Sequence, residues 1–165
     1  MGLREALGTL NRLREKGEIN DFAIAGAHAV MAYTEPFHSR DLDILIILKD
    51  NTDLANLYEF FRRRGNKISN IFIVVDDVNV HFLPSYIGDI YKEAIENANV
   101  IEELSCKVVS EEYLIALLLI AYRPKDRVHV KQLLLMANMQ ILGEIIGRFS
   151  DEENLLRQRF EEVLG

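Results

Sequence analysis

Residues 22–46 read FAIAGAHAVMAYTEPFHSRDLDILI, and the fold is decided there. Phe22, Ala23, Ile24 and Ala25 complete a short buried strand predicted over 21–25. Gly26 allows a tight turn, and the apolar residues of 27–33 continue as a helix. Residues 34–40 hold Pro36 and several polar side chains, so a loop is expected. Asp41, Leu42 and Asp43 then lead directly into Ile44, Leu45, Ile46, Ile47 and Leu48. A run so apolar and rich in β-branched residues is a central strand covered on both faces, with acids only at its start.

Working outward, Leu3, Leu7, Leu10 and Leu13 recur at helical spacing, and Gly17 ends that opening helix. Downstream, a helix is predicted over 52–64, with Leu54, Leu57, Phe60 and Phe61 on one face and Gly65 as its stop. Residues 71–75 and 78–83 read as strands around the turn Asp76–Asp77. A helix over 86–98 and a weakly determined extended segment over 100–109 follow. Ser110 is the expected N-cap of a nearly all-apolar helix over 111–122. Pro124 starts the next helix, running to about Met136. A further apolar stretch surrounds 141–146, and Ser150 with Glu153 forms a capping-box pattern for a last helix. The expected class is α+β: a small mixed β-sheet packed with helices over residues 1–84, then a mainly helical part over 85–165, together one domain.

Composition narrows the function. A chain of 165 residues has room for one substantial core, and 49 % hydrophobic against 27 % charged residues excludes disorder. The formal charge of -7 argues against broad nucleic-acid binding, which needs a basic face. It leaves room for a nucleotide whose phosphates reach carboxylates through a metal ion. Cys106 stands alone, so no intrachain disulfide forms, and the longest apolar run, 114–122, is far short of a membrane span. With no signal-peptide pattern at the N-terminus, the expected location is cytoplasmic and off the membrane.

Along a strand, residues two apart share a face, so Asp41 and Asp43 project together while Leu42 enters the opposite layer. Adjacent carboxylates repel, and solvent or divalent cations keep both ionised. Two metal ions roughly 4 Å apart can share such a pair, clamp a triphosphate and activate an attacking oxygen. The pair precedes its hydrophobic run, whereas a haloacid-dehalogenase-type phosphatase carries its aspartates after one. Upstream, the turn at Gly26 into a helix can bring backbone N–H groups to a phosphate.

With these features, residues 22–46 resemble the opening of a DNA polymerase β-like nucleotidyltransferase, particularly the AbiEii toxin-like branch. Residues 110–134, SEEYLIALLLIAYRPKDRVHVKQLL, resemble that family's helix, Arg-x-Lys-Asp break and following helix. The resemblance implies that Asp41 and Asp43 bind Mg²⁺, that Gly26 and Ala27 line the nucleotide phosphates, and that Arg40 sits near them. Lys125 and Asp126 match the Lys-Asp step, implying nucleotide contact or support of the helix break. It further implies transfer of a nucleoside monophosphate from an NTP to an acceptor, which a protein, a tRNA end or a small molecule would fit, and an antitoxin partner.

Three positions depart from the family pattern. The strand carrying the third carboxylate corresponds to 78–84, where His81 stands in place of the acid. An imidazole can bind a metal but lacks the charge of a carboxylate base; equally, His81 reads as a strand residue facing a polar cleft. The Gly-Gly or Gly-Ser step is Gly26–Ala27, and a position that often holds Lys is Leu118. These departures bear on catalysis, and the alternative to an enzyme is a degenerate nucleotide-binding or scaffold protein on the same fold. Elsewhere, Arg62, Arg63, Arg64 and Lys67 complement a helix dipole. His28 reads as packing, His38 as able to approach a nucleotide, and His129 as lying on a solvated helix face.

Overall fold

The computed structural model describes residues 2–165. Its centre is a mixed seven-stranded sheet in the order β3-β4-β5-β2-β1-β7-β6. β1 (Ile19–Ala25) and β2 (Asp41–Leu48) run antiparallel and are joined by α2 (Gly26–Tyr33) and a loop. β2 lies parallel to β5 (Val78–Pro84), with Asp41 opposite Asn79, Asp43 opposite His81 and Leu45 opposite Leu83. β4 (Phe72–Val75) forms a hairpin with β5 through Asp76 and Asp77, both in the left-handed region at φ 48° and 68°. A primed turn of this kind matches the twist of its flanking strands. β3 (Ile68–Ser69) adds a short edge strand that the sequence pattern does not reveal.

The alternation along β2 divides the layers. Leu42, Ile44 and Ile46 are fully buried on one face, with Phe22 paired to Ile46 and Phe82 to Ile44. Two helices cover that face, α1 (Gly2–Glu15) and α3 (Leu54–Arg63). Arg14 lies over the Phe22 ring and Phe61 stacks on Phe82 at 5.8 Å. The other face carries Asp41, Asp43 and Leu45 toward α2, α4 (Asp89–Glu96) and α5 (Glu111–Ala121). One buried apolar cluster runs continuously through both layers.

The second half departs from expectation at several points. The helix expected over 86–98 breaks at Gly88 into a 3-10 turn, Ser85–Ile87, and α4. Residues expected only to be extended form β6 (Asn99–Ile101) and β7 (Cys106–Val108), so the sheet draws strands from beyond residue 84. β7 pairs parallel with β1, and Lys107 donates to Asp21 at 2.5 Å. That ion pair between neighbouring strands is a tertiary contact that local periodicity cannot encode. Ser110 occupies the N-cap position of α5 but its side chain makes no capping bond. α6 (Pro124–Leu134) and α7 (Met139–Phe149) follow, and α8 (Leu156–Leu164) closes the chain. The expected Ser150–Glu153 capping box does not form. Ser150 ends α7, while its Oγ accepts from the Arg157 N–H of α8, and Asp151 takes the Glu153 and Asn154 N–H groups.

Candidate functional site

The site begins at the turn from β1 into α2. Gly26 adopts φ +59°, and a β-carbon there would stand 2.9 Å from Asp43 Cγ and closer still to Oδ2. The Asp43 carboxylate therefore packs against a backbone made bare by glycine, at the N-terminus of α2, where N–H groups and the helix dipole favour negative charge. Asp43 Oδ1 lies 3.3 Å from His81 Nδ1, the contact expected from their pairing in parallel register. Both side chains are half-buried, at 27 % and 30 % exposure, so each remains reachable from solvent. The His81 ring also meets the edge of Phe72, with centroids 6.1 Å apart.

Asp41 and Asp43 line a polar cleft of about 440 Å³ together with Ala27, Arg40, His81 and Lys125. Of the residues proposed from sequence, these line one space. Gly26 supports the carboxylate from behind and lines an adjoining chamber. Arg40 and Lys125 are exposed on the rim and form no ion pair among the described residues. Asp126 differs from its neighbours. It is 1 % exposed and accepts from the Arg123 backbone N–H and Nε, each at 2.9 Å, and from Nη2 at 3.3 Å. Its carboxylate thus ties down the residue that precedes α6, all three bonds being donated by Arg123, while Asp126 also lines the cleft.

Arg123 is the functional candidate that reading residue by residue did not single out. Tyr122 ends α5 in the left-handed conformation at φ 52°, with the guanidinium groups of Arg127 and Arg159 over its ring at 4.3 and 4.8 Å from the centroid. Arg159 also donates to the last carbonyls of α5, those of Leu119 and Ile120. Pro124 then fixes the first turn of α6. This rigid corner presents Arg123 to the cleft opposite Asp43. Hydrogen bonds to Asp126 raise its pKa, and the charge of Asp43 adds to the effect. The signal was present in the Arg-Pro-Lys-Asp sequence, but only the corner geometry sets the exposed arginine on the cleft, where Asp126 holds it.

The remaining histidines fall into place around the same cleft. Burial lowers the pKa of His28, opposed by the nearby Asp41 backbone and by the charges of Asp43 and Asp41. Its Nδ1 is buried with no hydrogen-bond partner among the described residues. His129 is not on a solvated face: it lines the cleft and stacks on Phe37 at 5.0 Å. Burial lowers its pKa as well. His38 also lines the cleft. Asp76 is held away in the hairpin, accepting from Thr9 Oγ1 at 2.6 Å, and cannot stand in for a third acid.

The donor set fits Mg²⁺ in one particular way. No group of three or more His, Cys, Asp or Glu side chains converges to hold a metal ion among the described residues. Two carboxylates on one wall, beside free cations for phosphate, match an ion that binds through one or two carboxylates plus substrate phosphates and keeps its waters. The residues therefore fit an ion that arrives with a nucleotide better than one held by protein alone.

No protein-family model matches the chain, and no curated protein matches it in sequence. Its architecture, however, is that of nucleotidyltransferase-like proteins. It is similar to the crystal structure of an antigenic nucleotidyltransferase-like protein from Paracoccidioides brasiliensis, with a TM-score of 0.61 at 13 % identity over 94 % of this chain and 92 % of that one. It is also similar to the solution structure of the antibiotic-resistance factor ANT(2'')-Ia, with a TM-score of 0.58 at 12 % identity over 97 % and 94 %. No helix among the described residues is long and apolar enough to cross a membrane.

Proposed function

We propose that this protein is a Mg²⁺-dependent nucleotidyltransferase that transfers a nucleoside monophosphate from an NTP to an acceptor hydroxyl. The observation that carries the reading is the Asp41–Asp43 wall, packed on Gly26 and faced by Arg40, Arg123 and Lys125 across one cleft. Asp41 and Asp43 hold the ion, which when bound neutralises phosphate charge and polarises the phosphoryl oxygens. The two rim cations take the β- and γ-phosphates as point charge and planar fork, respectively Lys125 and Arg40. Arg123, clamped by Asp126, faces the charge that accumulates as the bond to the leaving pyrophosphate lengthens. The α2 N-terminus adds backbone N–H groups at Ala27. Proton removal from the acceptor falls to Asp43, with His81 at 3.3 Å to share the proton.

The resemblance of residues 22–46 to the toxin-like branch favours an antitoxin as macromolecular partner. The test is incubation of the full chain with Mg²⁺, each α-labelled NTP and a cell extract, following label on any acceptor and pyrophosphate in solution. Asp41→Asn and Asp43→Asn are each expected to lower transfer by at least about 100-fold.

A second reading is favoured by His81 itself, which sits in register beside Asp43. On that reading, in which the resemblance aligns His81 with the family's third carboxylate, the chain binds nucleotide without turning it over. The wild type then retains NTP binding with no transfer, and His81→Asp restores transfer.

A further inference from the structure

On the sheet face that carries Asp43 and His81, the next pair along the two strands is Leu45 and Leu83. Above them α5 supplies Leu114, Leu117 and Ala121, and α4 supplies Tyr91, enclosing a chamber of about 330 Å³. Asp43, His81, Leu118 and Arg123 line both this chamber and the polar cleft, so the two spaces open into each other at the acids. Beyond that shared mouth no charged side chain among the described residues lines the chamber. Tyr91 is half-buried, and burial raises its pKa, so its hydroxyl is neutral.

The unpaired cations Arg40 and Lys125 belong to the polar cleft and not to the chamber. The pyrophosphate end of a bound NTP is drawn to them. In-line displacement brings the entering oxygen from the side opposite the leaving group, which is the side of the chamber. A sugar, or the end of a nucleic acid, placed there would bury several hydroxyls or a phosphate largely against leucines, with only Tyr91 and the residues of the mouth to pair with them.

We propose that the chamber is the acceptor site, and that the acceptor is a small uncharged alcohol or phenol. Its apolar body fills the space between Leu45, Leu83 and α5, and its hydroxyl faces Asp43 and His81. The inference rests on the nucleotidyltransferase reading. The acceptor oxygen forms a bond to the α-phosphorus while the bond from that phosphorus to the β-bridging oxygen breaks. Pyrophosphate leaves with the electron pair, and the hydroxyl proton passes to the Asp43–His81 pair.

Methyl NMR of the full chain tests this without depending on turnover. The probes are 3-phenylpropan-1-ol, glycerol, glucose and a short RNA, each titrated with and without saturating Mg²⁺ and NTP. Phenylpropanol is expected to shift the methyls of Leu45, Leu83, Leu114 and Leu117 saturably in both conditions, and the polar probes are not. Ala121→Phe, at an exposed rim position where added bulk spares the core, is expected to weaken the alcohol by at least about tenfold and NTP by less than about twofold. Absence of saturable shifts with phenylpropanol overturns the proposal. So does displacement of the alcohol by NTP, which assigns the chamber to the nucleobase, or equal binding of glucose or RNA there. If the alcohol binds but NTP moves no methyl signal of Ala27 or Ile71, which line the polar cleft with Arg40 and Lys125, the nucleotidyltransferase reading has failed, and the chamber's acceptor role with it.

Discussion

Gly26→Ala probes the closest approach in the site. At φ +59° an alanine occupies the left-handed region, which costs roughly 1–2 kcal/mol. Its β-carbon would stand 2.9 Å from Asp43 Cγ and 3.0 Å from Asp43 Cβ, so the carboxylate must yield. If Asp43 holds its position, the overlap adds about 1–3 kcal/mol; if it swings away, it leaves His81 and the nucleotide wall. Gly17 supplies the control, because it has φ +76° and nothing lies within 4 Å of an added β-carbon. Gly17→Ala is expected to cost only the conformational term, about 1–2 kcal/mol, with ligand binding unchanged. Gly26→Ala is expected to cost roughly 2–5 kcal/mol, or to weaken NTP binding by at least about tenfold if Asp43 swings away instead. Urea denaturation and calorimetric NTP titration of both variants read these quantities directly. Equal destabilisation of the two, with NTP affinity intact in both, refutes the reasoning.

Removing the buried cap in Asp126→Ala is expected to cost about 1–3 kcal/mol in urea melts, whereas the exposed neighbour Lys125→Ala should stay within about 0.5 kcal/mol and weaken NTP binding alone. Phe61→Ala, which removes a fully buried ring stacked on Phe82, is expected to cost about 3–5 kcal/mol without altering the cleft chemistry. Alkaline stability follows from two buried acids: burial pushes the Cys106 thiol from 9.0 up to about 11 and the Tyr33 phenol from 10.0 up to about 12. Both pKa values are higher folded than unfolded, so their contribution is complete below pH 9 and is lost as pH rises through 11 and 12. The urea midpoint should therefore fall above pH 9, and a midpoint that holds or rises toward pH 12 contradicts the burial.

Much of this site was legible because its parts are local. The pattern of β1, Gly26, α2 and β2 lies within one short stretch, and strand alternation alone puts Asp41 and Asp43 on one face. Aligning 78–84 with a family strand picks out His81, whereas the parallel register of β2 with β5 that brings it beside Asp43 is a pairing between distant segments that only the structure gives. What escaped depends on contacts between distant residues. β6 and β7 are short, with Val100 at 69 % exposure, and take their structure from the pairing of β7 with β1 and of β6 with β7 rather than from any hydrophobic period. Arg123 belongs to the site only because Tyr122 closes α5 in a left-handed turn and Arg159 of α8 braces that corner. His129 has the spacing of a surface residue, and the Phe37 loop folds over it. Ser150 ends α7 and is not the N-cap of α8; its Oγ reaches the Arg157 N–H across a turn built on Asp151 and Asn154, a connection that the three-residue spacing to Glu153 does not suggest.

The most direct test of the central claim is calorimetric titration of the purified chain with each of the four NTPs, with and without Mg²⁺, alongside Asp43→Asn. Mg²⁺-dependent binding of at least one NTP, weakened by at least about tenfold in Asp43→Asn, is the expected result. Absence of binding by any NTP at millimolar concentration, or binding indifferent to both Mg²⁺ and Asp43, contradicts the assignment of this cleft to a nucleotide.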